Sequence, residues 1–383
     1  MTLRSKLPQQ GTTIFTTMSH LAIQHGAINL SQGFPGFQCD PYLTELATKY
    51  MKEGFNQYAP MTGIPVLRER VAEITEKIQG VSYSPDTEVT IVSGATEALY
   101  VAITAVVKPG DEVIILEPAY DSYSPAVKLN GGIPVYVSLE EKDSSINWGR
   151  VGEAINEKTS LIIVNTPHNP SGYVWKKEDV DTLETLIADR NIYVVSDEVY
   201  EHIVFDEKVH YSLMRNSTLR SKTFICSSFG KTLHVTGWKI GYCLAPENMS
   251  KEFRKIHQFF TFSTATPLQY AIAEYLQDDS RYLGLSAFYQ KKRDLFNEGL
   301  SANTPFNFIP AEGSFFQTVS YAHLTDENDY DLAVRLTKEL KVASIPNSSF
   351  YHNRTDLNVL RFCFAKDDEM LKLALDKLSK ATF

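Results

Sequence analysis

Short apolar runs alternate with amphipathic stretches between about Val66 and Ala271. Leu67, Val71 and Ile74 recur at helical spacing, and Gly80 suits the end of that helix. β-branched and aliphatic runs predict strands at residues 89–92, 113–116, 135–137, 161–164, 192–195 and 224–226. Apolar stretches of helical spacing predict helices near residues 98–107 and 180–187. The pattern is therefore strand, helix, strand over some two hundred residues.

Such alternation predicts an α/β fold in which a mostly parallel sheet is covered by helices on both faces. In sheets of this kind ligands bind beyond the carboxyl ends of the strands. We therefore expect functional residues just after the predicted strands.

The pattern changes after about Tyr275. It predicts helices over residues 281–300 and 370–378 and strands over residues 315–319, 343–345 and 359–364, which is typical of a smaller α+β domain. We predict three parts. They are an N-terminal arm with part of the small domain (1–44), a large ligand-binding domain (45–275), and a C-terminal small domain (276–383).

Composition excludes several classes of protein. The 383 residues are 43% hydrophobic and 22% charged, with a formal net charge of −9 and no basic run, so nucleic-acid binding is not expected. The polar N-terminus has no signal-like apolar region, and no stretch predicts a membrane span. Four cysteines without a C-x-x-C pair favour reduced, buried thiols. We expect a cytoplasmic enzyme and assign no metal ligands.

Polar motifs follow the predicted strands. Lys231 ends the sequence SSFGK at residues 227–231, Asp197 follows the strand at 192–195, and Asn169 lies in NTPHNPSG at residues 165–172. A lysine amine can bind an aldehyde cofactor covalently, and a carboxylate can pair with a protonated pyridine nitrogen. Together the motifs predict a site for pyridoxal 5'-phosphate (PLP).

The partners of Asp197 extend this interpretation. Tyr200 and Asn169 could donate hydrogen bonds to the phenolate oxygen of the cofactor ring, and Tyr120 could stack on the ring. Lys231, once displaced by an amino substrate, could move the substrate's Cα proton. The structural alternatives are a helix cap or ion pair for Asp197, core aromatic residues for the tyrosines, and a turn residue for Asn169.

The turn at residues 93–98, SGATEA, is a glycine-containing strand-to-helix junction that favours a phosphate. Lys239, between Gly237 and Gly241, could add a cation to that phosphate site. The alternatives are a simple capped helix for the turn and a solvated surface lysine for Lys239.

These motifs resemble those of the class I and II aminotransferases, PLP enzymes of fold type I, over nearly the whole chain. SKLP at residues 5–8, GTTIF at 11–15, NLSQGFP at 29–35 and NQYAPMTG at 56–63 are similar to the bacterial methionine aminotransferases of the kynurenine and glutamine transaminase branch. Lys239 stands where many class I enzymes have arginine, and that branch commonly has lysine there.

The resemblance implies a homodimer with active sites at the subunit interface. Tyr58 would reach the phosphate of the neighbouring subunit's cofactor, and Arg361 would bind the substrate α-carboxylate beside Gly33. Without the resemblance, Arg361 would be interpreted as a solvent-facing strand residue. The resemblance also implies a phosphate site made by Ala95, Thr96, Ser228 and Lys239, and an apolar mouth at Ile14, Phe15 and Tyr58.

The function predicted from these features is transfer of an amino group from an L-amino acid, methionine or an aromatic one, through PLP to a 2-oxo acid. One alternative is a PLP-dependent β-lyase acting on cysteine S-conjugates, because the same cofactor chemistry serves both reactions. A more remote alternative is a non-enzymatic regulator built on this fold. No strand opens into a G-x-G-x-x-G turn, so a Rossmann oxidoreductase is disfavoured.

Overall fold

Three sheets organise the chain in a computed structural model, which describes residues 3–8 and 10–383. The strands are β1 Ile28–Asn29, β2 Val89–Val92, β3 Glu112–Glu117, β4 Ile133–Ser138, β5 Thr159–Asn165, β6 Tyr193–Asp197, β7 Thr223–Ser228, β8 Gly241–Leu244, β9 Phe316–Ser320, β10 Val342–Ala343, β11 Ile345–Pro346 and β12 Val359–Cys363. The helices are α1 Ile14–His25, α2 Pro41–Lys52, α3 Pro65–Gln79, α4 Ala95–Val106, α5 Tyr123–Leu129, α6 Trp148–Ala154, α7 Lys177–Ile187, α8 Ser217–Arg220, α9 Phe229–Thr232, α10 Glu247–Phe260, α11 Thr266–Tyr275, α12 Ser280–Leu283, α13 Leu285–Asn303, α14 Asp329–Arg335 and α15 Asp368–Leu378. Shorter turns of 3₁₀ or π geometry lie at Leu213–Arg215, Thr236–Trp238, Leu336–Leu340 and Asn347–Phe350.

The central sheet has seven strands in the order β2-β8-β7-β6-β5-β3-β4. The strands from β7 through β4 pair in parallel, whereas β8 runs antiparallel to both of its neighbours. The predicted α/β fold with a mostly parallel sheet is therefore confirmed. Strand β8 is an addition that sequence analysis does not predict.

Both faces of this sheet are buried, as a parallel sheet covered by helices requires. In β3 the side chains of Ile114 and Leu116 belong to one apolar cluster, and those of Val113 and Ile115 belong to another on the opposite face. Each such side chain contributes about 1.5–3 kcal/mol when removed from water.

The remaining strands form two small sheets. Strands β11, β12 and β9 are antiparallel, and β1 pairs in parallel with β10, which joins the N-terminal arm to the C-terminal part of the chain. The division into domains at residues 44 and 275 stays a prediction.

Two predicted elements are divided in the structure. The strand expected over residues 343–345 is two strands, because β10 pairs with β1 whereas β11 turns to pair with β12. The helix expected over residues 281–300 is interrupted at Gly284, which ends α12 and precedes α13. Glycine is a weak helix former, so it suits this junction.

Within residues 3–8 and 10–383, every helix falls short of the combined length and apolar character that crossing a bilayer demands.

Candidate active site

The carboxyl ends of the parallel strands border a cleft of about 360 Å³. Asn165 ends β5, Asp197 ends β6 and Ser228 ends β7, and all three line the cleft. Twelve residues singled out from the sequence line it, Asp197 and Ser228 among them: Phe15, Gly33, Ala95, Thr96, Tyr120, Asn169, Asp197, Tyr200, Ser228, Lys231, Lys239 and Arg361. The structure thus brings together motifs that are up to 346 positions apart, from Phe15 to Arg361.

Lys231 lies in the short helix α9, which Ser228 caps by accepting a hydrogen bond from the Gly230 amide at 3.1 Å. Its Nζ donates to the Gly33 carbonyl at 2.6 Å. Burial lowers the pKa of Lys231 to about 8, and the nearby Arg361 guanidinium contributes to the decrease. The amine is therefore available in neutral form at mildly alkaline pH.

Asp197 is buried at the carboxyl end of β6. Its Oδ2 accepts a hydrogen bond of 2.6 Å from the Tyr123 hydroxyl, and its Oδ1 accepts one of 3.3 Å from the Val199 amide. Burial raises the pKa of Asp197 to about 6, which these hydrogen bonds oppose. When ionised, the carboxylate keeps further lone pairs that can accept a hydrogen bond from a cationic group in the cleft.

An amide side chain connects this acid to the substrate end of the cleft. Asn165 donates through Nδ2 to the Asp197 carbonyl at 2.8 Å, and its Oδ1 accepts from the Asn169 amide at 2.8 Å. Asn169 in turn accepts through Oδ1 from Arg361 Nη1 at 2.7 Å. Sequence analysis misses Asn165 and Tyr123. The only sequence signal for them is position, one at a strand end and one three residues after Tyr120.

Arg361 is completely buried in β12, so it is not the solvent-facing strand residue of the alternative interpretation. Its guanidinium carbon lies 3.9 Å from the Phe316 ring centre, 5.0 Å from that of Phe350 and 5.4 Å from that of Phe15. Nη2 donates to the Ser31 carbonyl at 2.8 Å, whereas Nε has no partner within the described part of the chain.

Burial lowers the pKa of Arg361 to about 10, and the group remains a cation at neutral pH. A buried cation with an unused N–H group suits an anionic ligand such as a carboxylate. Gly33 lies against this place, because a Cβ at residue 33 would come within 2.8 Å of Phe316 Cζ.

The other end of the cleft is a cradle at the start of α4. Gly94 has a φ of +75° and precedes Ala95 and Thr96, whose amides are among the first N–H groups of the helix and have no partner within it. Lys239, held in the left-handed region with a φ of +53°, places Nζ 3.5 Å from Thr96 Oγ1. Backbone amides, a helix start and a lysine together favour a phosphate.

Two aromatic side chains lie between these ends. Tyr120 follows β3, and burial raises the pKa of its hydroxyl to about 12, so it remains a neutral donor. The Tyr200 ring packs edge-on against Phe315 and Phe316 at centroid distances of 5.0 and 5.8 Å. Lys231 Nζ lies 5.8 Å from the Tyr200 ring centre.

Two residues of the predicted site lie elsewhere. Ile14 is half-buried against the core and does not line the cleft, so its predicted place at the mouth is not supported within one chain. Helix α1 explains this, since adjacent residues of a helix point in different directions and Phe15 is the one that faces the cleft. Tyr58 is 84% exposed and packs against Phe262, outside the cleft of its own chain.

The arrangement fits PLP at each of its reactive groups. A lysine of lowered pKa suits the aldehyde, a buried carboxylate suits the pyridine nitrogen, and the α4 cradle suits the phosphate. Tyr120 and Tyr200 supply an aromatic face and a hydroxyl donor between them.

Comparisons with known proteins agree with this chemistry. Residues 26–378 match the family model "Aminotransferase class I and II". The methionine aminotransferase of Escherichia coli (strain K12) is 46% identical over 376 residues, covering 98% of this chain and 97% of that protein. A kynurenine–oxoglutarate transaminase of Dictyostelium discoideum is 34% identical over 410 residues, covering 97% and 94%.

Solved structures show the same fold. The crystal structure of YbdL from Escherichia coli, for which a methionine aminotransferase function is described, has a TM-score of 0.97 at 46% identity and covers 100% of both chains. N-succinyldiaminopimelate aminotransferase from Mycobacterium tuberculosis has a TM-score of 0.94 at 33% identity and covers 99% of both.

The lysine, the buried acid and the buried arginine that converge on one cleft are thus accompanied by family-wide similarity in sequence and in fold, and the chain belongs to the class I and II aminotransferases, which depend on PLP.

Proposed function

We propose that this enzyme moves the amino group of methionine or an aromatic L-amino acid to a 2-oxo acid, with PLP bound at Lys231. The observation that carries the proposal is the cleft itself, where Lys231, Asp197 and Arg361 face one volume of about 360 Å³. When bound, PLP supplies a carbonyl for the amino group and an electron-withdrawing ring for the charge that develops at the substrate Cα.

Each side chain has a part in this proposal. Arg361 binds the α-carboxylate and thereby directs the Cα proton toward Lys231, whose neutral amine accepts it and later returns it. Asp197 holds a positive charge on the ring nitrogen, and Asn169 orients both Arg361 and the ring oxygen. Ser228, Lys239 and the amides of Ala95 and Thr96 hold the phosphate.

The walls of the cleft support an apolar side chain on the amino donor. The rings of Phe15 and Phe316 line the cleft and lie beside Arg361. Among the described residues that line the cleft, the cations are Lys231, Lys239 and Arg361, and each already has a role. A second carboxylate, as in aspartate, would therefore be desolvated without a partner. The names of the relatives in E. coli and Dictyostelium are consistent with methionine or aromatic donors.

A panel of donors and acceptors tests this substrate class. We expect methionine and aromatic amino acids to exceed aspartate in kcat/KM by about tenfold or more. The side-chain carboxylate of aspartate would be buried without a partner, and this costs more free energy than an apolar side chain that fills the pocket incompletely. A preference for aspartate would contradict the proposal. Release of pyruvate and ammonia from a cysteine S-conjugate, without transfer to any 2-oxo acid, would favour the β-lyase instead.

We also propose a cytoplasmic homodimer with shared active sites. Aromatic side chains are exposed near one another in the chain, with Phe259 90% and Phe260 55% exposed, and Tyr58 packs against the neighbouring Phe262. Exposed apolar surface of this kind is typical of an interface between subunits. In the dimer, Tyr58 would reach the cofactor phosphate of the partner subunit.

A further inference from the structure

The hydroxyl of Tyr123 is the closest side-chain partner of Asp197 in the described structure. It lies 2.6 Å from Asp197 Oδ2, and the two residues are only 2% and 4% exposed. Tyr123 is the first residue of α5, and its ring meets that of Tyr120 edge-on at 5.7 Å. A helix and a strand end thus fix the two oxygens relative to each other.

The remaining groups around Asp197 shift its pKa in opposite directions. The Val199 amide and the Lys231 amine favour the carboxylate, whereas Glu198 disfavours it. Asp197 in turn raises the pKa values of five nearby groups, which are Tyr120, Tyr123, Tyr200, Cys226 and Lys231. Of all these, the Tyr123 hydroxyl is the strongest influence that favours the ionised acid.

Tyr123 is suited to this task because it stays a donor. Burial raises its pKa well above the ordinary value of 10, so the phenol keeps its proton at acidic and neutral pH. A carboxylate has about four lone pairs, of which Tyr123 and Val199 use two. The carboxylate can therefore still accept a hydrogen bond from the cleft.

We propose that Tyr123 is a positioning residue that keeps Asp197 ionised and oriented toward the pyridine nitrogen of PLP. The inference rests on the proposed function, because it assigns Asp197 to that nitrogen. The inference adds Tyr123 to the site, with a contribution to PLP binding that depends on pH. The hydroxyl is needed most under acidic conditions, where Asp197 would otherwise take up a proton.

The direction of the effect follows from linkage. Without cofactor, the pKa of Asp197 is about 6, so part of the acid is protonated below that pH and must lose the proton before it binds a pyridinium. Removing the Tyr123 hydroxyl raises this pKa further, by about one unit for one charge-assisted hydrogen bond. The cost to binding then appears at low pH and disappears at high pH, where both forms are ionised.

The test is PLP affinity of the full-length chain, measured by fluorescence titration at about pH 5.5 and about pH 8. We expect Tyr123→Phe to weaken binding about tenfold at the lower pH and to leave it nearly unchanged at the higher pH. A role in packing alone would give the same ratio to wild type at both pH values, and that result would overturn the inference.

Tyr173→Phe is the matched control. Tyr173 is 8% exposed, and its hydroxyl donates to Asp179 Oδ2 at 2.9 Å, so this change removes the same kind of hydrogen bond away from the cleft. We expect its ratio to wild type to be close to one at both pH values. An equal pH-dependent loss in the two variants would show that the effect is general and would overturn the inference.

A second variant guards against misfolding of Tyr123→Phe. 3-Fluorotyrosine incorporated at position 123 preserves the shape and strengthens the donor, so PLP binding should improve at about pH 5.5. Unchanged or weaker binding there would count against the inference. Failure of the wild-type chain to bind PLP at any pH would instead refute the proposed function, and the inference with it.

Discussion

At the scale of single residues, the proposed function makes turnover depend on the amine of Lys231. Its burial lowers the cost of the neutral form, and the Gly33 carbonyl holds it in place at 2.6 Å. We expect Lys231→Ala to abolish transamination, because both the covalent attachment of PLP and the proton transfer at Cα need this amine. Activity assays, with borohydride trapping and peptide mass mapping of the wild type, provide the measurement.

Two outcomes would contradict this role. One is full transamination by Lys231→Ala, and the other is a label on a residue other than Lys231 after trapping. Lys239→Ala is a useful comparison, because it removes a second cation from the same cleft while the amine remains. Lys239→Ala should weaken cofactor binding, but borohydride should still trap PLP on Lys231.

Asp197 and Tyr120, which are both proposed to contact the cofactor ring, should differ in their effect on kcat. Asp197→Ala should reduce kcat at least about a hundredfold more than Tyr120→Phe does. The first change removes the charge that keeps the ring nitrogen protonated, whereas the second retains an aromatic face worth about 0.5–1.5 kcal/mol. Steady-state kinetics at saturating PLP measure both, and equal losses would show that the charge pair is not essential.

The sequence predicts most residues of the cleft but not how they support one another. Lys231, Asp197 and Asn169 follow strands, and the carboxyl edge of a parallel sheet brings such positions together. Tyr123 and Asn165 act through hydrogen bonds to Asp197. These bonds depend on distances between elements that periodicity does not encode.

At the scale of elements, the junction of β8 with β7 and α4 determines the shape of the cradle at the start of α4. A Cβ at Gly241 would lie 2.6 Å from the Ser227 carbonyl oxygen and 3.0 Å from the Ala95 amide nitrogen. We expect Gly241→Ala to destabilise the fold by about 1–3 kcal/mol, since overpacking forces the backbone to shift. It should also weaken PLP binding, because the Ala95 amide would move.

Gly237→Ala, in the turn just before β8, supplies the control, because a Cβ at Gly237 meets no atom within 4 Å. In thermal unfolding and PLP titration, Gly241→Ala should therefore lose stability and PLP affinity, whereas Gly237→Ala should resemble wild type. If Gly241→Ala matched wild type in both measurements, the close approach of β8 to α4 would not matter for the cradle.

Strand β8 also shows where sequence patterns stop being informative. The strands β3, β5 and β6 are predicted because burial on both faces requires continuous apolar runs, which stand out in the sequence. Strand β8 has four residues, starts at Gly241, and follows directly on the Lys239 motif. Its antiparallel pairing is set by β2 and β7, which are far apart in sequence.

At the scale of the whole molecule, one chain leaves the predicted constellation incomplete at Tyr58. Its ring is 84% exposed beside Phe262, whereas the other residues proposed to hold the phosphate line the cleft. A second copy of the chain would cover the exposed ring of Tyr58. It would also agree with the family resemblance, which implies that Tyr58 reaches the cofactor phosphate of the neighbouring subunit. The proposal requires that each active site use Lys231 of one subunit and Tyr58 of the other.

Subunit mixing tests that requirement directly. We expect Tyr58→Ala to weaken PLP binding about tenfold, because a hydrogen bond to a charged group contributes about 1.5–3 kcal/mol. At limiting PLP, Tyr58→Ala and Lys231→Ala homodimers should both be poorly active. In a mixed dimer, the Tyr58→Ala subunit provides an intact Lys231 and its partner provides an intact Tyr58, so one of the two sites is complete. Activity should therefore rise when the two variants are unfolded and refolded together. If it stays at the average of the separate variants although mixed dimers form, Tyr58 does not act across the interface.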